Sequence, residues 1–351
     1  MSLRGGLKAM TLCWALSSAV GGASAQSVQP ESIRIALIGL DNPNAELFTQ
    51  RLNDPADPSH VSGGRIVAAF PGEGFEDESV NSRIQAVTAV LRDKYGVRIA
   101  ESVDDAISKV DAVLLLSTDP RFRLDQATAV IASGKPFFVS KPVAASLKQV
   151  VEIFKLAEVA NTPVFSASPL RWSAGISELA LVNSGAPPSG VLAFGNAPAF
   201  SDRSSMFGET IHLVEALTTL MGPGCVQVTN VASTPFATVV GVWPDGRMGT
   251  LMLRHDGAPS FRMTRFDGDI SAVQTLLSDP TPLLREIVKF FQTRQAPVSR
   301  LQSLSVYALA EAAEESGRNK GAPTSIEQVL KKAGAPVEWF APPPAEPTAA
   351  E

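Results

Sequence analysis

From Ile33 onward, apolar stretches alternate between two periods. Ile33-Arg-Ile-Ala-Leu-Ile38 is a near-continuous apolar run that predicts a buried strand, and Gly39 ends it. Ala45, Phe48 and Leu52 then recur at helical spacing. The succession repeats. Arg65–Phe70 predicts a second strand, a Pro/Gly/acidic loop follows from Pro71 to Asp77, and Ile84, Val87, Leu91 and Tyr95 mark a helix. Ala112-Val-Leu-Leu-Leu116 is the most apolar strand of all. Leu124, Ala127 and Ile131 mark another helix closed by Gly134, and Pro136-Phe-Phe-Val139 is a further strand. Such βαβ repetition predicts a parallel sheet with right-handed crossovers and a ligand site at its C-terminal strand ends.

Past residue 145 the pattern changes. Ser146 with Gln149 reads as a capping box for a helix from Leu147 to Ala160, with Val150, Val151, Phe154 and Ala157 on one face. A short strand at Val164–Ala167 and a helix-like stretch to Val182 follow. Val191–Phe194, Val226–Asn230, Thr238–Trp243 and Met248–Leu253 read as strands, several separated by turns such as Pro244-Asp-Gly246, and so predict a largely antiparallel sheet. Leu283–Phe291 and Leu304–Glu315 are closing helices, and the second is expected to pack back on the first half through Tyr307, Ala310 and Glu314. The expected fold class is α/β: a Rossmann-like parallel-sheet domain over 31–145, then an α+β domain over 146–336 with a largely antiparallel sheet. Residues 337–351 are expected to form a Pro/Ala-rich tail, and the cleft between the domains is the expected site.

Composition narrows the function classes. The chain has 351 residues, 45% hydrophobic and 19% charged, which excludes a mostly disordered protein. Its net charge of -5 and lack of a basic tract argue against nucleic acid as a partner. Two cysteines and three histidines are too few for a disulfide framework or a His/Cys metal centre, so no metal is expected. At the N-terminus, Arg4 and Lys8 precede a short apolar run, and Ala23-Ser-Ala25 fits a small-x-small cleavage site. Residues 1–25 are therefore expected to be a secretory signal. The mature protein would be periplasmic or secreted and free of the membrane.

Candidate chemistry begins at the first turn. A dinucleotide fingerprint, G-x-G-x-x-G, lets backbone approach a pyrophosphate at a helix N-terminus. Here Gly39-Leu-Asp-Asn-Pro-Asn44 keeps only the first glycine, and Asp41 beside a pyrophosphate would repel it. Phe70-Pro71 stand where an acidic residue would hold the ribose hydroxyls. The residues fit a structural turn at Gly39 as well as a phosphate cradle. Further on, Phe207, Ile211, Val214, Leu217 and Met221 share one helical face, while Gly208, His212, Glu215 and Thr219 form the neighbouring stripe. Either Glu209 or Glu215 can orient the His212 imidazole. Lys141, after a strand and before a helix, can be partly desolvated there, its pKa lowered for proton shuttling, or it can be a surface lysine capping nearby carbonyls. Arg171 suits an acidic or hydroxyl-rich ligand or, equally, an ion pair.

Ser117-Thr-Asp-Pro120, together with Gly134-Lys-Pro-Phe-Phe-Val-Ser-Lys-Pro-Val-Ala144, resembles the glucose–fructose oxidoreductase / inositol dehydrogenase (Gfo/Idh/MocA) family. The resemblance extends through Ile153–Glu158, Pro163–Ser168, Ile211–Leu217 and Gly241–Gly246. It implies an NAD- or NADP-dependent oxidoreductase of sugars, cyclitols or related polyols. It further implies Lys141 and His212 as catalytic residues, and Gly39, Leu40, Asp41, Asn42, Ser117, Thr118 and Lys141 as cofactor-binding. Arg171, Glu209 and His212 are then the expected substrate contacts, and the C-terminal sheet a surface for a homo-oligomer. The chain departs from the family at Ser140, where a Glu precedes the Lys-Pro, at Gly208, where an Asp precedes the His by four, and at Arg123, where a His is common. Two alternatives stay open: a catalytically silent carbohydrate-binding protein, or a lyase or hydrolase using tightly bound NAD(P) through transient oxidation.

Overall fold

Strands apolar on both faces need cover on both faces, and the first sheet has it. In the computed structural model, which describes residues 32–73, 77–196, 206–233, 235–257, 260–268 and 270–340, six parallel strands form this sheet. They are β1 (Ile33–Ile38), β2 (Gly64–Phe70), β3 (Arg98–Ile99), β4 (Ala112–Leu115), β5 (Phe137–Val139) and β6 (Val164–Phe165), in the order β3-β2-β1-β4-β5-β6. The helices of this half are α1 (Asn44–Asn53), α2 (Glu78–Tyr95), α3 (Val103–Ile107), α4 (Arg123–Ala132) and α5 (Leu147–Val159). The period-two side-chain alternation separates two cores. Ile35, Leu37, Ala112, Leu114 and Phe138 join Phe48 of α1 and Leu91 of α2. Ala36, Ile38, Val113, Leu115 and Val139 face Ala106, Ala127 and Val150 of α3, α4 and α5. β3 and α3 were not expected, because two and five residues are too short to carry a period.

The second sheet has seven strands: β7 (Gly190–Asn196), β8 (Gln227–Ala232), β9 (Phe236–Val242), β10 (Met248–Arg254), β11 (Phe261–Asp267), β12 (Ile270–Leu276) and β13 (Thr324–Ser325). Their order is β12-β11-β7-β10-β9-β8-β13, antiparallel except where β7 meets β10. The remaining helices are α6 (Ala174–Leu181), α7 (Thr210–Met221), α8 (Thr281–Thr293), α9 (Arg300–Arg318) and α10 (Ile326–Lys332). Val191, Ala193, Val239, Leu251 and Leu253 turn inward to α7 and α9, while Phe236, Met248, Met252 and Phe266 stay exposed on the other face. β11 and β12 lacked a sequence signal partly because Arg265 interrupts the apolar pattern. That arginine is nonetheless buried, with its Nε donating to Asp267 Oδ2 at 2.6 Å and Nη1 to the Leu179 carbonyl at 2.8 Å.

Both sheets belong to one compact unit starting at Ser32, and the chain crosses between them more than once. β6 and α8, both beyond residue 145, complete the layer of the parallel sheet. Phe138, Phe165 and Phe290 stack edge-on there, with centroids 5.2 and 4.9 Å apart. α9 lies along β8 and packs on α7 and α5, and reaches the turn after β5 through Tyr307, whose Oη accepts from the Val143 amide at 2.7 Å. Ser146 Oγ caps α5 by accepting from Gln149 N, but the Gln149 side chain bonds Ala145 N, one residue before the cap. The packed chain also runs past residue 336. Val337–Trp339 forms a 3-10 turn, and Trp339 is buried with the Arg300 guanidinium 4.0 Å over its ring. The expected leader and the Pro/Ala stretch from 341 lie outside the described residues.

Candidate active site

The site is built where the C-terminal edge of the parallel sheet meets α7. β5 ends at Val139, and the Ser140-Lys141-Pro142 turn carries Lys141 beneath α7 before Ser146 caps the next helix. On α7 the predicted stripe is the functional one: His212, Glu215 and Thr219 lie one turn apart on the face toward Lys141 and the segment after β6. Glu215 is its hub. Its Oε2 lies 3.2 Å from Lys141 Nζ and accepts from the Ser168 amide at 2.7 Å, and its Oε1 pairs with Arg171 at 3.3 Å. Both Lys141 and Glu215 side chains are 1% exposed. The Lys141 ammonium also sits 4.6 Å over the Tyr307 ring, a cation–π contact that desolvation strengthens.

This geometry corrects the expected chemistry of Lys141. Burial pushes its pKa down, but the Glu215 carboxylate and Tyr307 more than offset that, so the ammonium is held above the ordinary lysine range. Lys141 is thus a fixed cation rather than a lysine poised to shed its proton near neutral pH. His212 goes the other way: desolvation, helped by the Lys141 charge, lowers its pKa to about 4. Its Nδ1 lies 2.8 Å from Ser168 Oγ, which itself accepts from Leu170 N. His212 as a residue is half-buried, and its ring is held as a neutral base.

The other expected site residues fall into two groups. Arg171 is in the cluster but is spent on Glu215 and on Thr219 Oγ1 at 3.0 Å, which makes it an ion-pair partner. Glu209 stands exposed just before α7 and makes no side-chain hydrogen bond or ion pair among the described residues. At the cofactor end, Gly39 has φ +93°, and a Cβ there would lie 2.3 Å from the Ser117 backbone, so the loops after β1 and β4 touch. The Leu40 side chain is fully buried in the core, and its amide donates to Pro71 O at 2.8 Å. Asn42 bonds Leu116 O and caps the Asn44 amide. Ser117 Oγ donates to Gln126 Oε1 at 2.8 Å, and Asp41 is buried against Thr118. Arg123 is fully buried, its guanidinium bonding Ser117 O, Ser140 O and Ser140 Oγ across the ends of β4 and β5. Burial lowers its pKa to about 10. The arginine and the serine at two of the three departure positions are therefore partners.

Sequence reasoning missed Glu215 as the partner of Lys141 and had no signal for Ser168. Glu215 was visible in the stripe, but only as a candidate to orient His212. Among the described residues, no cluster of three or more His, Cys, Asp or Glu side chains could hold a metal, and no helix is long and apolar enough to cross a membrane.

A parallel sheet in this order, with a lysine turn after β5 and a histidine helix above it, is a Rossmann-type scaffold with its site at the strand ends. Residues 33–168 match the profile of GFO_IDH_MocA, an oxidoreductase family with an NAD-binding Rossmann fold. Solved structures extend the likeness to both sheets. Myo-inositol 2-dehydrogenase from Lactobacillus plantarum matches with TM-score 0.68 and 14% identity over 84% of this chain and 99% of its own. UDP-N-acetylglucosamine 3-dehydrogenase GnnA from Acidithiobacillus ferrooxidans matches with TM-score 0.66 and 16% identity over 81% and 97%. GenD2 from gentamicin A biosynthesis, solved in complex with NAD, matches with TM-score 0.66 and 15% identity over 84% and 96%. At these identities the likeness shows the fold. No curated protein matches the chain by sequence.

Proposed function

We propose that the protein is an exported NAD(P)-dependent oxidoreductase that acts on a hydroxyl of a sugar, cyclitol or related polyol. The observation that carries this reading is the buried cluster at the sheet edge in which Glu215 holds Lys141 and the Ser168 amide, and Ser168 in turn meets His212. The strand order supports a dinucleotide: β1 and β4 flank the point where the order reverses, the place such folds hold one, and Gly39, Asn42, Ser117 and Thr118 lie in the loops after them. The buried acid Asp41 among these loops fits less well. A bound nicotinamide supplies the hydride acceptor or donor. This chain's residues handle the proton. His212 accepts it from the substrate hydroxyl, and the Lys141 cation stabilises the developing alkoxide. Glu215 and Arg171 hold the lysine in place, and Ser168 fixes the ring of His212.

Residues 1–25, read as a secretory signal, support export, and the exposed apolar face of the second sheet supports a homo-oligomer formed through it. A second reading, a carbohydrate-binding protein without turnover, draws on the same buried lysine, held against Glu215. Titrating the mature protein with NADH and NADPH by fluorescence, then screening polyols for turnover, separates the two. Turnover that falls about 100-fold or more in His212→Ala and Lys141→Ala supports the enzyme. Normal rates in those variants remove both residues from the mechanism, and polyol binding with no dinucleotide binding at millimolar concentration supports the silent protein.

A further inference from the structure

The loop after β1 is unusual in what its hydrogen-bonding groups already do. A dinucleotide crevice holds pyrophosphate with backbone amides left free at the strand end and the first helical turn. In this chain the Gly39 amide donates to Phe70 O at 3.0 Å, Leu40 to Pro71 O, and Ser117 to Ile38 O at 3.1 Å. The Asn44 amide, at the start of α1, donates to Asn42 Oδ1 at 2.9 Å, and position 43 is a proline with no amide to offer. The Thr118 amide donates to Asp41 Oδ2 at 2.7 Å, and the Thr118 hydroxyl bonds the same oxygen. Asp41 is 1% exposed, and its second oxygen, Oδ1, is buried without a hydrogen-bond partner. The first turn of α1 adds another acid, Glu46.

We propose that Asp41 is an internal anion standing in the pyrophosphate end of the crevice, and that it sets the affinity of this chain for dinucleotides by taking the Thr118 donors and repelling the phosphates. The inference rests on the dinucleotide reading above and goes beyond it, because it assigns to one residue the control of cofactor retention. A buried carboxylate with one oxygen lacking a hydrogen bond costs most when a second anion is brought beside it. Asp41 is also among the charges acting on buried Arg123. Without it, that cation is less compensated at the same strand edge.

The test is binding, not activity. NADH and NADPH are titrated by fluorescence against the mature wild type, Asp41→Asn and Asp41→Ser, with adenosine titrated by calorimetry as a phosphate-free control. Thermal melts show which variants keep the fold, and two variants of different size guard against loss of one. Removal of the charge is expected to tighten NADH or NADPH by about tenfold or more, with adenosine unchanged. Equal or weaker dinucleotide binding in folded variants overturns the proposal and leaves the dinucleotide reading standing. A parallel gain for adenosine also overturns it, since the effect would then be steric. Binding in the variants but none in the wild type supports the proposal and overturns the enzyme reading for the natural chain. No binding in any of them at 10 mM overturns both.

Discussion

Glu215 shows how much one buried carboxylate can organise. It faces two cations and one amide, so Glu215→Gln strands Lys141 and Arg171 without a counter-charge. We expect that variant to lose about 3–5 kcal/mol, the usual cost of breaking a buried ion pair from one side, read from the urea midpoint. His212 gives a pH prediction. Its folded pKa of about 4 lies below the ordinary 6.5, so the unfolded chain binds more protons between those values. Its contribution to stability is therefore complete above pH 6.5 and lost as pH falls toward 4. His212→Gln should show a shallower loss of stability over that window, and an unchanged slope would mean that the ring is not held neutral. At Gly39, φ +93° and the 2.3 Å approach to Ser117 leave no room for a methyl group. Gly39→Ala should cost at least ~1–3 kcal/mol from backbone strain alone, before the clash is counted.

Among the elements, α9 and the turn after β5 depend on one another. The Val143 amide is fully buried, and its acceptor is a phenolic oxygen 164 residues away in sequence. Tyr307→Phe keeps the ring under Lys141 but removes that acceptor, and should cost about 1–3 kcal/mol by leaving the amide unpaired. A melt unchanged from wild type would show that the turn finds another partner. The periodicity of α7 made it legible as an element. Its apolar face and its polar stripe were both apparent, because 3.6-residue spacing survives without neighbours. What the stripe touches was not. Glu215 was expected to serve the imidazole three residues before it, but the fold places it on Lys141, 74 residues earlier in the chain.

For the molecule as a whole, the parallel sheet cannot be cut off at residue 145 without loss. β6 and α8 supply Phe165, Leu284, Ile287 and Phe290 to the same core as Ile35, Leu37 and Phe138. A fragment of residues 32–145 is therefore expected to show no cooperative thermal transition, while residues 32–340 melt cooperatively. A sharp transition in the short fragment would establish it as an independent unit.

The amino-acid pattern by itself determined β1, β2, β4 and β5 of the parallel sheet, the largely antiparallel strands of the second half, and the lysine and histidine around which the site forms. These follow from local periodicity and from turn residues, which act over a few neighbours. It also showed the missing glycines and the acid at position 41. Only the tertiary structure decided that Asp41 bonds Thr118, that Arg123 and Ser140 are partners, and that Glu215 raises the Lys141 pKa while burial lowers that of His212. Those outcomes depend on burial and on charges brought together from distant segments, and no spacing along the chain encodes either.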